Sequence, residues 1–263
     1  MQLFKIKLKL TFFWIFVLLL SFPLASLSQE KNLPSERKIH YAPEGNSFVL
    51  KNGSRKFNRA LYGTNTAFRV ETGDLPEFAL YLPGMGGNFK LGIQKGDQSK
   101  WITEATKIDA RYTLGMMYYK IQDPILGNGE LLLEVIALKN TEGFGLKVTG
   151  NNISNDLSLI WAFGGASGKK FSRDGDIGAD PESVFYMLPN YCTNNKYTVQ
   201  KESFVLEYGS EVNKEKTGNA KSLIGFYPNS EIHLANANQQ KSPLELFGSA
   251  PESLTVITGK IAT

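Results

Sequence analysis

Leu131-Leu132-Leu133-Glu134-Val135-Ile136-Ala137-Leu138 is apolar on both alternating faces except at Glu134. A strand with no wet side belongs between layers, so this run is the expected central strand of a layered β fold. Outward from it, the apolar residues come in short runs punctuated by Gly, Pro, Asn and Asp, the pattern of strands and turns. Lys196-Tyr197-Thr198-Val199-Gln200 alternates, with Tyr197 and Val199 on one face and polar groups on the other, as a half-wet strand does. Phe48-Val49-Leu50 followed by Lys51-Asn52-Gly53-Ser54 reads as the first arm and turn of a hairpin, because Asn-Gly supplies the positive φ angles of a primed turn. Further strands are expected at 67–71, 78–82, 89–93, 111–121, 145–149, 157–163, 184–188, 204–208, 223–227, 232–235 and 254–257.

Many strands without crossover helices predict antiparallel pairing and an all-β fold, a large antiparallel (supersandwich-like) β-sandwich. Glycine agrees: 25 of 263 residues exceeds the usual share of ~7%, as a turn-rich chain requires. The domain is expected over 41–263, after a signal peptide at 1–28 and a polar linker at 29–40. No internal repeat aligns, and the polar stretch 208–222 reads as an exposed loop or a frayed turn.

The first 28 residues carry Lys5, Lys7 and Lys9, then the apolar run Leu10–Leu20, then Ser26 and Ser28 at the −3 and −1 positions before Gln29. That is the layout of a cleaved secretory signal. The apolar stretch falls short of the ~20 residues of a spanning helix and is broken by Ser21 and Pro23, so no membrane anchor is expected after cleavage. Removing its three lysines leaves 26 basic residues against 25 acidic ones, a charge of +1, and no dense cationic cluster to compete for phosphate backbones. Nucleic acid is therefore not an expected partner. The lone Cys192 excludes an internal disulfide, and export without disulfides suits a bacterial envelope, with the periplasm expected first and secretion or the cell surface next.

Little catalytic chemistry is visible. With only His40 and His233, a histidine metal site or a Ser-His-Asp triad has little to build on, and both read as ordinary strand or surface residues. Gly164-Gly165-Ala166-Ser167-Gly168 lacks the second glycine of a nucleophile elbow, since position 169 is Lys, and reads as a loop. Gly84-Met85-Gly86-Gly87 lacks the spacing of a dinucleotide loop and reads as a turn between strands. Two stretches carry more. Arg173-Asp174-Gly175-Asp176-Ile177-Gly178-Ala179-Asp180-Pro181-Glu182 follows the Gly-rich loop after Trp161, and its four carboxylates repel one another unless something neutralises them. Three readings stay open for it: a solvated turn whose Asp residues cap backbone N–H groups, a loop facing a sugar or a partner domain, or a Ca²⁺ loop through Asp174, Asp176 and Asp180. No other cofactor is expected. The second stretch, 55–71, interleaves Arg59 and Asn65 with Phe57, Tyr62 and Phe68. It reads either as a carbohydrate surface or as a twisted strand with rings inward and arginines outward. Trp161, Arg173, Asp176, Asp180, Glu182, Arg59 and Asn65 are the candidates for contact with carbohydrate or a neighbouring domain; no catalytic residue is assigned.

The runs 57–71 (FNRALYGTNTAFRVE), 73–84 (GDLPEFALYLPG) and 176–183 (DIGADPES) resemble the bacterial family called domain of unknown function 4450. The resemblance implies a much longer exported protein of a polysaccharide-degrading Gram-negative bacterium, in which an N-terminal β-sandwich precedes a helical toroid like that of six-hairpin glycosidases. It further implies glycoside-hydrolase-like function with the catalytic carboxylates on the toroid. The chain ends at Thr263, before such hairpins would begin, and is therefore read as a truncated piece without catalysis of its own. A free-standing carbohydrate-binding or cell-surface module is the alternative.

Overall fold

The computed structural model describes residues 39–56, 59–82, 85–168, 187–208, 221–228 and 230–262. The chain divides into Met1–His40 and the compact unit Tyr41–Thr263. Along the second unit run β1 (Ala42–Glu44), β2 (Ser47–Lys51), β3 (Arg59–Leu61), β4 (Arg69–Thr72), β5 (Phe78–Tyr81), β6 (Met85–Lys95), β7 (Gln98–Trp101), β8 (Lys107–Thr113) and β9 (Met116–Gln122). They are followed by β10 (Glu130–Ala137), β11 (Phe144–Asn151), β12 (Leu157–Gly164), β13 (Lys196–Val199), β14 (Ser203–Tyr208), β15 (Lys221–Phe226), β16 (Glu231–Asn236) and β17 (Thr255–Ala262). Among the described residues the one α-helix is the short α1 (Pro243–Phe247), capped by Ser242, whose hydroxyl accepts from the Glu245 N–H.

All pairings are antiparallel. The first sheet has the order β1-β2-β8-β9-β10-β11, the second β16-β17-β12-β6-β5-β4-β3 with β7 also paired to β6, and the third β13-β14-β15. Alternation makes the sandwich. Met117, Tyr119 and Ile121 of β9 and Leu131, Leu133 and Val135 of β10 turn inward to meet Leu91 and Ile93 of β6 and Leu157, Leu159, Trp161 and Phe163 of β12 in one core. The outward residues of the first sheet form ion pairs across strands, Lys120–Glu130 at 2.6 Å and Lys147–Glu134 at 2.8 Å. The second sheet is covered on its other face as well, where Ala162, Ala235 and Val256 pack against Trp101, Met187, Cys192 and Leu246 of α1.

The strand between layers is thus β12, buried at seven of its eight positions, and not 131–138. Leu132 and Ile136 of β10 stay half-exposed on the outer face, where Leu132 lies between Lys120 and Thr149. Among the described residues no further sheet covers that face. The expected strand 111–121 is two strands folded at Leu114-Gly115, with φ of 49° and 80°. A glycine relieves one left-handed position there, while Leu114 accepts the other at 87% exposure. Asn52 does take φ 50°, but no hairpin forms: β2 pairs with β1 and β8, and the chain crosses into the second sheet as β3. Met85, Gly86 and Gly87 open β6 and are not themselves the turn. Met187 and Leu188 are not in a strand, and 184–186 lie outside the described residues, as do the signal peptide, residues 29–38 of the linker, and 209–220 of the polar stretch.

A column of rings ties the three sheets together. Phe78 lies 5.8 Å from Tyr119 of the first sheet, and Phe89 lies 5.9 Å from Phe144. Trp161 stacks on Phe89 at 6.4 Å and on Phe204 of the third sheet at 6.3 Å, with Tyr227 at 5.6 Å. Gly259 faces Trp161 across β12 and β17, and a Cβ there would come within 2.4 Å of the indole. The ring lies flat because that position has no side chain.

Candidate functional site

Asp74 shapes the connection between β2 and β3. Fully buried, it accepts hydrogen bonds from the N–H groups of Ser54 (3.1 Å) and Arg55 (2.8 Å) through one oxygen and from the Tyr41 hydroxyl (3.1 Å) through the other. Burial beside this carboxylate pushes the Tyr41 phenol well above its ordinary range. The Arg59 guanidinium lies over the same Tyr41 ring at 4.7 Å, and the Arg59 carbonyl accepts from Thr72 at 2.7 Å. Arg59 is thereby fixed at the edge of the second sheet.

Beside it opens a cleft of about 440 Å³ lined by Phe48, Arg59, Ala60, Tyr62 and Tyr112. Phe48 and Tyr112 come from paired positions on β2 and β8, the second and third strands of the first sheet, so the cleft joins that sheet to the edge strand of the second. Tyr62 is 62% exposed and Phe48 48%, unusual for rings in a fold that buries most of its aromatics. Such a surface offers flat apolar faces next to one planar cation. Three rings and one guanidinium thus face the cleft together.

A second concentration of chemistry sits on the opposite face of the second sheet. Glu77 accepts from the Met187 N–H at 3.1 Å, Gln240 donates to the Met187 carbonyl at 2.8 Å, and Lys90 donates to Gln240 at 3.0 Å while lying 4.3 Å over Trp101. Next to it Arg69 stacks 3.7 Å over Tyr81 and is bonded to Glu71. Burial raises the pKa of both Glu71 and Glu77, against the pull of Arg69 on the first and of Lys90 and Lys56 on the second, and burial lowers that of Lys90. Glu77 and Glu71 are only 3% and 2% exposed, and Glu77 with Gln240 holds the chain at Met187.

These shifts give stability a pH dependence of definite sign. A carboxyl whose folded-state pKa lies above its unfolded value of 4.5 binds the proton more tightly when folded, so its contribution is greatest below that pH and is lost as pH rises through the folded pKa. Lys90 acts in the opposite sense at alkaline pH, where the unfolded chain holds the proton longer. Glu77→Gln keeps the acceptor for Met187 N–H but does not titrate. Denaturant midpoints from pH 4.5 upward should therefore fall less steeply in Glu77→Gln than in wild type; parallel curves would show that Glu77 is not the group.

The structure separates the residues singled out by sequence. Trp161 is 4% exposed in the ring column. Arg59 lies four strands away across the second sheet, about 19 Å at ~4.8 Å per strand. Asn65 is exposed in the bend between β3 and β4, next to the Thr66–Glu142 hydrogen bond of 2.6 Å. Arg69 is buried instead of pointing outward, and Phe68 is inward as expected, whereas Tyr62 is not. Arg173, Asp174, Asp176, Asp180 and Glu182 lie outside the described residues, so the Ca²⁺ reading falls there too. Among the described residues no group of three or more His, Cys, Asp and Glu is placed to hold a metal. Phe48 and Tyr112 were not among the sequence candidates, since each reads as an ordinary strand residue.

A family model described as Domain of unknown function (DUF4450) matches residues 82–263. The chain belongs to DUF4450. The matched span of DUF4450 takes in β6 to β17, the Met187 anchor and the run 176–183, whereas 57–71 and most of 73–84 precede it. Of the cleft residues only Tyr112 falls within the DUF4450 match; Phe48, Arg59, Ala60 and Tyr62 come before it. A search of curated proteins found no match.

Proposed function

We propose that this chain is a carbohydrate-contacting β-sandwich of an exported, glycoside-hydrolase-like protein in polysaccharide degradation, where it scaffolds a catalytic helical toroid and supplies one sugar-binding surface. The observation that carries the reading is the open cleft with exposed Phe48 and Tyr62, half-buried Tyr112 and the fixed Arg59. Rings of this kind cover the apolar face of a pyranose while the guanidinium donates to its hydroxyls. The alternative, a free-standing binding module, has one specific point in its favour: every cleft residue comes from the chain itself. In either case this chain turns over no glycan alone.

Affinity electrophoresis of the purified protein through gels cast with plant and bacterial polysaccharides tests the reading. Retardation by at least one polymer is expected, and Tyr62→Ala should weaken it about fivefold, within the ~1–3 kcal/mol of an exposed ring on a planar partner. If no polysaccharide retards the protein, or if retardation survives Tyr62→Ala with Phe48→Ala, the cleft is not a sugar site. Reading the genomic frame past codon 263 separates the two settings, since helical-hairpin sequence there supports the scaffold and a stop codon the free-standing module.

A further inference from the structure

We propose that β15 is an association surface occupied by a second copy of this chain, the two β15 strands pairing antiparallel about a two-fold axis at Ile224. β15 ends the order β13-β14-β15, so one of its sides pairs with no strand among the described residues. The Tyr227 N–H donates to the Glu202 carbonyl at 3.2 Å, which continues the β14–β15 register by one step. Bonded pairs alternate along an antiparallel ladder, so Gly225, Leu223 and Lys221 turn their backbone groups to β14. Ser222, Ile224 and Phe226 turn theirs to the open side, and these are also the residues whose side chains face solvent. Ile224 is 59% and Phe226 83% exposed. On the inner side Gly225 leaves room for the Phe204 ring, which a Cβ would enter. Sheet edges are commonly blunted by shortness, charge, proline or a bulge. β1 and β3 have three residues each and β13 four, β11 carries Lys147, and β16 opens on Glu231. β15 has six residues in unbroken register, no proline, and Lys221 only at its first position.

The occupant follows from the strand's self-complementarity. Pairing Ile224 with the second copy's Ile224 sets Phe226 opposite the second copy's Ser222, so the backbone groups on the open side of each copy bond one another. Side chains then stay on matching faces. Thr198 lies beside Val205 and Val205 beside Ile224 across the third sheet, so this β-branched row runs on without interruption into its copy. Charge permits the pairing. Lys196 and Glu207 share a row that ends on Ser222, and Lys221 meets the second copy's Tyr227, so no like charges face each other at the seam. A six-residue edge, about 20 Å long at ~3.4 Å per residue, makes a narrow seam at the low end of protein interfaces. The dimer is therefore weak and concentration-dependent.

Sedimentation equilibrium of the purified protein from about 5 to about 500 µM tests this: the mean mass should rise from one chain toward two, with Kd on the order of 100 µM. Ile224→Lys and Ile224→Glu each set two like charges face to face at the axis, and each should weaken association at least about tenfold. An equimolar mixture of the two variants sets opposite charges there and should recover association to within about threefold of wild type. Position 224 is exposed, so the far-UV dichroism of both variants should match wild type. Phe226→Ser should weaken pairing about fivefold, and it reports on the same seam if a charged variant fails to fold. A wild-type chain that stays monomeric at the highest concentration overturns the proposal and leaves the edge to a strand of another protein. Association that survives both charged variants and Phe226→Ser, or charged variants whose mixture stays monomeric, overturns it as well.

Discussion

Trp161→Ala should lower the unfolding free energy by about 4 kcal/mol, the scale for deleting a buried aromatic that its neighbours cannot collapse to replace. The indole touches rings of the second and third sheets and rests on backbone at Gly259, so its loss opens a void where two sheets share one column. Its Nε1–H meets no acceptor among the described residues, although it is buried. Trp161→Phe should therefore cost only about 1–2 kcal/mol, because part of the lost area is offset by removing an unsatisfied donor. Urea unfolding by far-UV dichroism separates the two. A shift of under 1 kcal/mol for Trp161→Ala would mean the third sheet is not held by this column. Gly259→Ala tests the same contact from the other side, since its Cβ would enter the indole.

Asp74→Ala should cost about 3 kcal/mol and should disable the cleft as well. It strands two backbone N–H groups and one phenol, each worth about 1–3 kcal/mol when left buried without a partner. The loop it holds leads directly into Arg59. Asp74→Asn separates shape from charge: with its amide oxygen toward Ser54 and Arg55 and its NH₂ toward Tyr41, whose hydroxyl turns to accept, both backbone N–H groups keep their acceptor and only the phenol's own donor is displaced. That variant should cost about 1 kcal/mol and keep glycan retardation, whereas the Ala variant should lose both. Faster amide exchange at Ser54 and Arg55 in Asp74→Ala is the local readout. Equal behaviour of the two variants would show that Asp74 matters for charge and not for acceptor geometry.

Strand content was legible because alternation of apolar and polar residues is a local property, and it marked β13, β14 and β16 within a residue or two. Layering was not. Leu132 and Ile136 look like core in sequence, but they sit on an outer face beside Lys120, Thr149 and Met116. Nothing within 131–138 says how many sheets lie above it. The fold at Leu114-Gly115 was hidden because an exposed leucine occupies a position where turn residues are expected. Arg59 stood out through the company of basic and aromatic residues around it. Tyr112 did not, because it reaches the cleft only through the pairing of β2 with β8, whose partners are separated by 64 positions at Phe48 and Tyr112. Trp161 stood out for the wrong environment: a tryptophan before a Gly-rich loop invites a surface role, and here register and Gly259 draw it inward.

Cys192 gives the fold a built-in reporter. The thiol is 1% exposed, accepts from the Gly165 N–H at 3.2 Å, and has its pKa pushed to about 11 chiefly by burial. A thiol reagent needs an accessible thiolate, and the native state supplies neither access nor charge at neutral pH. Labelling must then wait for Met187–Cys192 to lift from the outer face of the second sheet. The single sulfur of this chain's cysteine thus acts as a clock, timing how often that face is uncovered while the sandwich beneath stays folded.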